Sequence, residues 1–167
     1  MKRKGESSPT DRSLLLEVDL QVATKEQPLP GPEQFSAWIG AVLAQRLDKA
    51  EVTVRIVDEA EGAALNERFR GGSGATNVLA FPFESPIGLA LPLLGDIVIC
   101  APVVRREAQQ QGKDPEAHWA HMVVHGALHL LGYDHQTPPQ ADHMESLEQT
   151  ILAVLGFPNP YVEASTP

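Results

Sequence analysis

The run H-G-A-L-H-L-L-G-Y-D-H, from His125 to His135, constrains this chain more than any other stretch. An α-helix turns once every 3.6 residues or so, about 100° per residue, so His125 and His129 project from one face, a single turn apart. Gly132 then stops the helix by taking a left-handed conformation at its C-terminus, and the chain swings His135 back towards the first two. Three imidazoles with one open position describe a catalytic zinc site, because structural sites close every position with protein ligands. A lone histidine on an apolar helix is usually a packed core residue. Three at this spacing around a helix-stopping glycine are read here as a cage for one zinc ion.

The same ligands and glycine follow the metallopeptidase spacing H-E-x-x-H-x-x-G-x-x-H. Gly126, however, stands where that pattern carries its general-base Glu, so the cage is present and the peptidase base is missing. His118 and His121 fall on the same helical stripe as His125 and His129. The pair nearest the Gly132 turn is taken as the ligands. His121 is then expected either behind the ligands or in the cleft against substrate, and His118 as a structural residue. His143, beyond Pro138 and Pro139, reads as a surface group.

A chain of 167 residues with 43% hydrophobic content is long and apolar enough for one packed domain. No apolar run approaches the roughly 18 residues of a membrane helix, so no membrane partner is expected. Residues 1–13 are basic and lack an apolar stretch, so they read as a disordered arm and not as a secretory signal; residues 162–167 read as a flexible tail. The single cysteine, Cys100, excludes an internal disulfide framework and fits a reducing cytoplasm. It lies in the apolar run G-D-I-V-I-C-A-P, where a buried, inert thiol is expected.

The net charge of −9 argues against a polyanionic partner at first sight, but its distribution says more. From Asp114 to Pro167 there is no Lys or Arg against seven acidic residues. An anionic substrate held at the histidines must therefore be gripped by bases from the middle of the chain, such as Arg68, Arg70 and Arg105.

Hydrophobic periodicity outlines the elements. Strands are expected at Ser13–Val22, around Val52–Ile56, at Asn77–Phe83 and at Asp96–Cys100, with a Pro- and Gly-containing excursion between the last two reaching Leu94. Helices are expected from Glu33 to Leu47, from an Asp58 cap to about Phe69, from Val103 to Gln111, from Asp114–Pro115 through the histidines, and from Pro139 to Leu155. The tail F-P-N-P-Y reads as extended. No repeat or linker divides the chain. The expectation is one α+β domain over residues 14–161, a mixed four-stranded sheet packed with about five helices.

Beside H-G-A-L-H-L-L-G-Y-D-H stand L-N-E-R-F-R, T-N-V-L-A-F-P-F and L-L-G-D-I-V-I-C. With these segments in this order the chain resembles the YbeY family of bacterial single-strand-specific metallo-endoribonucleases and rRNA maturation factors, from about Leu14 to Tyr161. The resemblance implies a zinc ion on His125, His129 and His135 and a catalytic role for Arg70. It also implies work on the 3′ end of 16S rRNA and in ribosome quality control, with single-stranded RNA, the small ribosomal subunit and its proteins as partners and no DNA. The basic arm before Ser13 departs from the family's usual start.

Read as residues, Arg70 ends a helix before a glycine-rich loop, where its guanidinium reaches a cleft under little packing constraint. A planar fork suits a phosphodiester better than a point charge. The bland alternative is a solvated arginine complementing the helix dipole; Arg68, two positions earlier, reads as surface. The loop G-G-S-G-A-T-N lacks a P-loop lysine and is a weak nucleotide signal. Thr76 and Asn77 are candidate substrate contacts or simply the start of a strand. Asp96 and Asp134 are candidates to orient groups behind the ligands. Two rival functions remain open at this point: an assembly factor whose metal is mainly structural, and a metallopeptidase-like hydrolase.

Overall fold

A computed structural model of the chain describes residues 13–162 apart from 87 and 90. The arm expected at residues 1–13 and the tail expected at 162–167 therefore lie almost wholly outside the described residues. In chain order the elements are β1 (Leu15–Ala23), α1 (Pro32–Leu43), β2 (Lys49–Val57), α2 (Glu59–Arg70), β3 (Val78–Pro82), β4 (Leu93–Cys100), α3 (Ala101–Gln111), α4 (Pro115–Leu130) and α5 (Pro138–Val154). The sheet order is β1-β2-β4-β3, parallel from β1 through β4 and antiparallel between β4 and β3. This is the mixed four-stranded α+β domain with five helices that the periodicity predicts, and β3 is one of its edges.

Alternation along the strands divides the apolar residues between two faces. Val52, Val54, Ile56, Ile97 and Ile99 pack with Phe35, Trp38 and Ile39 of α1, with α4, and with Met144, Ile151 and Leu152 of α5. Val57, Leu79, Val98 and Cys100 point into a smaller cluster that includes Val103 and Leu65 of α2. Cys100 is buried there, and burial pushes its thiol pKa up, as expected of an inert cysteine. Among the described residues no helix is long and apolar enough to cross a membrane.

Several local expectations differ from the structure. α1 stops at Leu43 and not at Leu47, because Gln45 takes a φ of 70° and turns the chain into β2. Asp58 sits at the head of α2, but its carboxylate accepts from the Thr24 hydroxyl and the Lys25 N–H, leaving the helix without a side-chain cap. β4 begins at Leu93, three residues earlier than expected, since Leu93 and Gly95 already pair with β2. The C-terminal segment is not extended. Phe157 packs edge-on against Trp38, and the Tyr161 ring folds back against His121.

Candidate metal centre

α4 is built to present histidines. Asp114 accepts the Ala117 N–H at its head, and Pro115 follows where a missing N–H costs nothing. Its buried residues, among them Val123, Ala127 and Leu128, occupy most of its circumference. Gly126 lets the helix lie close on the sheet: a Cβ there would lie 2.9 Å from Ile97 Cγ2 and 3.4 Å from Val78 Cγ2. The position that carries a general base in the peptidase pattern is thus closed by β4. At the other end Gly132 takes a φ of 102°, and the N–H groups of Gly132 and Tyr133 donate to the carbonyls of His129 and Leu128. That pair of bonds is a Schellman closure, and it delivers His135 beside the helix.

Ligand atoms of His125, His129 and His135 lie within 4.8 Å of one another. His125 Nε2 and His129 Nε2 are 3.1 Å apart. Bonds of about 2.0–2.1 Å in a zinc tetrahedron place nitrogens about 3.4 Å apart, so this spacing fits a shared cation. Burial, then the neighbouring His125 and His135, lower the pKa of His129 to about 4, so its ring is a neutral lone-pair donor at neutral pH. The His135 side chain is 54% exposed, which leaves one side of the cage open. The histidines thus form an arrangement that can bind a metal ion, with room for a further ligand.

Sequence reasoning missed the group behind the cage. Glu148 of α5 is fully buried, and Met144, Ile151 and Leu152 share its stripe. His125 Nδ1 donates to Glu148 Oε2 at 2.7 Å, and His121 Nε2 donates to Oε1 at 2.8 Å. The Tyr161 hydroxyl donates to the same Oε1. Burial alone would raise the carboxyl pKa, but the bonds from His121, His125 and Tyr161 outweigh it and hold it at about 2. The ionised carboxylate fixes the His125 proton on Nδ1 and turns Nε2 towards His129, the carboxylate–histidine arrangement common behind metals. A carboxylate in an apolar stripe, at a position almost never left unpaired when buried, was the available signal.

A cleft of about 600 Å³ opens in front of the cage, bordered by β3, the end of α2 and the loop after Gly132. Arg70, Thr76, Asn77, His125, His129, Asp134 and His135 all line it. Among the described residues Arg70 is the only Lys or Arg on its wall, but it is not loosely held. Its Nη2 donates to the Ala80 carbonyl on edge strand β3, and the guanidinium lies 5.3 Å from the Phe81 ring centre. Asn77 is committed as well, donating to Glu107 and accepting from the Val78 N–H. Asp134 accepts the His135 N–H at 2.8 Å and lies 3.5 Å from His135 Nδ1.

Two candidates fall elsewhere. His121 does not line the cleft: Glu148 and Tyr161 cover its part of the stripe, so it sits behind the ligands. Asp96 is exposed on β4, opposite Phe81, while its neighbour Ile97 faces α4. Strand alternation points the two side chains to opposite faces, so Asp96 orients nothing at the cage. His118 is buried against Glu107, and His143 is exposed beside Tyr133.

Comparison with known proteins agrees with this geometry. A solution structure of TM1509 from Thermotoga maritima shares the fold, with a TM-score of 0.54 and 22% identity over 92% of this chain and 98% of that one. Residues 21–156 match the family described as Endoribonuclease YbeY. That match takes in α1 through α5, with Arg70 and all three cage histidines, and the chain belongs to the YbeY endoribonuclease family.

Proposed function

We propose that the protein is a zinc-dependent endoribonuclease specific for single-stranded RNA, acting in 16S rRNA 3′-end maturation and ribosome quality control in the cytoplasm. Residues 14–161 form the catalytic unit, and the small ribosomal subunit with its proteins is the setting. The observation that carries this reading is one cleft lined both by the open three-histidine cage and by Arg70.

Held by His125, His129 and His135, zinc would supply a Lewis acid for the phosphate and an activated nucleophile near neutral pH, without a carboxylate base at position 126. Glu148 keeps the His125 Nε2 lone pair facing inward. Arg70 spends one N–H on Ala80 and retains the remaining donors of its fork for a non-bridging phosphate oxygen. Thr76 and Asn77 are proposed to contact the strand beside it. Among the described residues the wall carries a single cation, too few for an electrostatic track along duplex phosphates, which favours affinity drawn from unstacked nucleotides.

Neither rival has comparable support. The closed position at Gly126 counts against a peptidase, and the exposed side of His135 counts against a purely structural metal. The test is single-turnover cleavage of a single-stranded RNA by zinc-loaded Arg70→Ala protein. The rate should fall by about 10²- to 10³-fold, the scale for one transition-state donor, with metal content and fold intact. Arg70→Lys should recover only part of this. A wild-type rate would remove Arg70 from the mechanism. In cells lacking the gene, His129→Ala protein should fail to restore mature 16S 3′ ends where wild-type protein succeeds.

A further inference from the structure

α2 is too short to cover the whole of the sheet face it packs on. Leu65 of that helix and Phe81 of β3 pack against the cluster of Leu79, Val98 and Cys100. One turn on from Leu65, the Phe69 ring meets Phe81 edge-on, 5.6 Å between ring centres. Gly71, at a φ of 67°, ends the helix there. The far end of the face is left open: Phe69 and Phe83 are 54% and 41% exposed. Phe83 continues the pairing of β3 by donating its N–H to the Leu94 carbonyl, and strand alternation puts it on the Phe81 side. Exposed rings gathered on one face call for an occupant in a way that a single exposed leucine does not.

These rings join the cleft through Arg70. That residue lines the cleft, and its guanidinium lies 5.3 Å from the Phe81 ring centre. On the other side the Arg68 guanidinium lies 5.0 Å over the Phe69 ring. No carboxylate pairs with either arginine among the described residues. A strand whose phosphate meets Arg70 therefore passes the rings within its next nucleotide or two. Cations set beside aromatic faces complement a chain that alternates phosphates with flat bases. Asp96, exposed opposite Phe81, disfavours a phosphate on the face itself and leaves it to the bases. We infer that Phe69, with Phe81 and Arg68 beside it, is a base-stacking platform that holds an unpaired base next to the phosphate at Arg70. Rings and guanidinium planes stack any base, but only one free of a duplex, so the platform supplies the single-strand preference. The assignment rests on the RNA reading proposed above.

The test is binding of zinc-loaded full-length protein to a fluorescein-labelled oligouridylate and to its duplex with oligoadenylate, read by anisotropy before turnover. Phe69→Leu keeps an apolar contact for Phe81 but loses the ring. It should weaken single-strand binding by about 5- to 100-fold, the scale for one base–aromatic stack, and bind the duplex as wild type does. Phe69→Tyr, which keeps the ring, should retain wild-type affinity for both. If Phe69→Leu loses the native melting transition, photocrosslinking of 5-iodouridine RNA to the unaltered protein takes its place, with the crosslink expected on Phe69. An equal loss for single strand and duplex, or a crosslink that avoids Phe69, overturns the platform. Unchanged single-strand affinity in Phe69→Leu also overturns it and gives the patch to a protein partner. Cleavage of the same RNA is scored alongside. Intact cleavage with an indifferent Phe69 sinks the platform alone, and binding through Phe69 without cleavage sinks the nuclease reading.

Discussion

Replacing Glu148 by Gln asks whether the cage is held from behind. The Glu148 side chain is 1% exposed and accepts from His125 Nδ1, His121 Nε2 and the Tyr161 hydroxyl. Its pKa of about 2, against an ordinary 4.5, corresponds at about 1.4 kcal/mol per pH unit to about 3 kcal/mol in favour of the ionised form. A glutamine keeps the shape but must aim its NH₂ at one side, where a donor already waits. If it faces His125, that ring is driven to the other tautomer, and the proton arrives on the nitrogen needed by the metal. Zinc affinity, measured by chelator competition, should weaken by about 10- to 100-fold. Urea unfolding of the metal-free protein should lose about 3 kcal/mol, the preference for the ionised carboxylate given above. In the parent protein the folded-state pKa lies below the unfolded one. The stabilisation is therefore complete above pH 4.5 and fades as the pH falls towards about 2, a slope that Glu148→Gln should lack. Wild-type zinc affinity in this variant would refute the argument.

His125→Ala, His129→Ala and His135→Ala should each lose bound zinc, read by metal analysis, together with RNA cleavage; stoichiometric zinc in any one removes that residue from the ligand set. Chelation of the wild type should lower its melting temperature, because binding energy to the folded state is lost. Gly126→Glu should melt lower than wild type, by about 1–3 kcal/mol for overpacking against Ile97, and should hydrolyse no peptide. In metal-free protein the depressed pKa of His129 contributes stability that is complete above 6.5 and lost as the pH falls to about 4; urea midpoints that stay flat across that window in wild type, or that still fall there in His129→Phe, would show that another group is responsible.

The sequence disclosed what local rules control. The histidine spacing, the Asp114 cap and the glycines that end α2, α3 and α4 depend only on helical geometry and on which residue tolerates a positive φ, and each is found where expected. Pairings between distant segments were not legible. Glu148 meets His125 across 23 positions, and Asp58 meets Thr24 across 34. Nothing local to either carboxylate distinguishes a cap or a solvated charge from a long-range acceptor. The misplacement of Asp96 has the same origin. A strand's period of two gives its faces, but which face the histidine helix covers is decided by packing, here by the contact between Ile97 and Gly126.

The carboxylate shared by His121, His125 and Tyr161 also sets an order of assembly in time. Synthesis runs from N- to C-terminus, so α4 and all three cage histidines leave the ribosome before Glu148, and Glu148 before Tyr161. A nascent chain that has reached His135 carries every ligand, yet nothing fixes the His125 tautomer. Maturation of the centre waits for α5 to dock and for the following segment to fold back over it. The last-made portion of the domain thus acts as a finishing step for a centre whose ligands were made earlier.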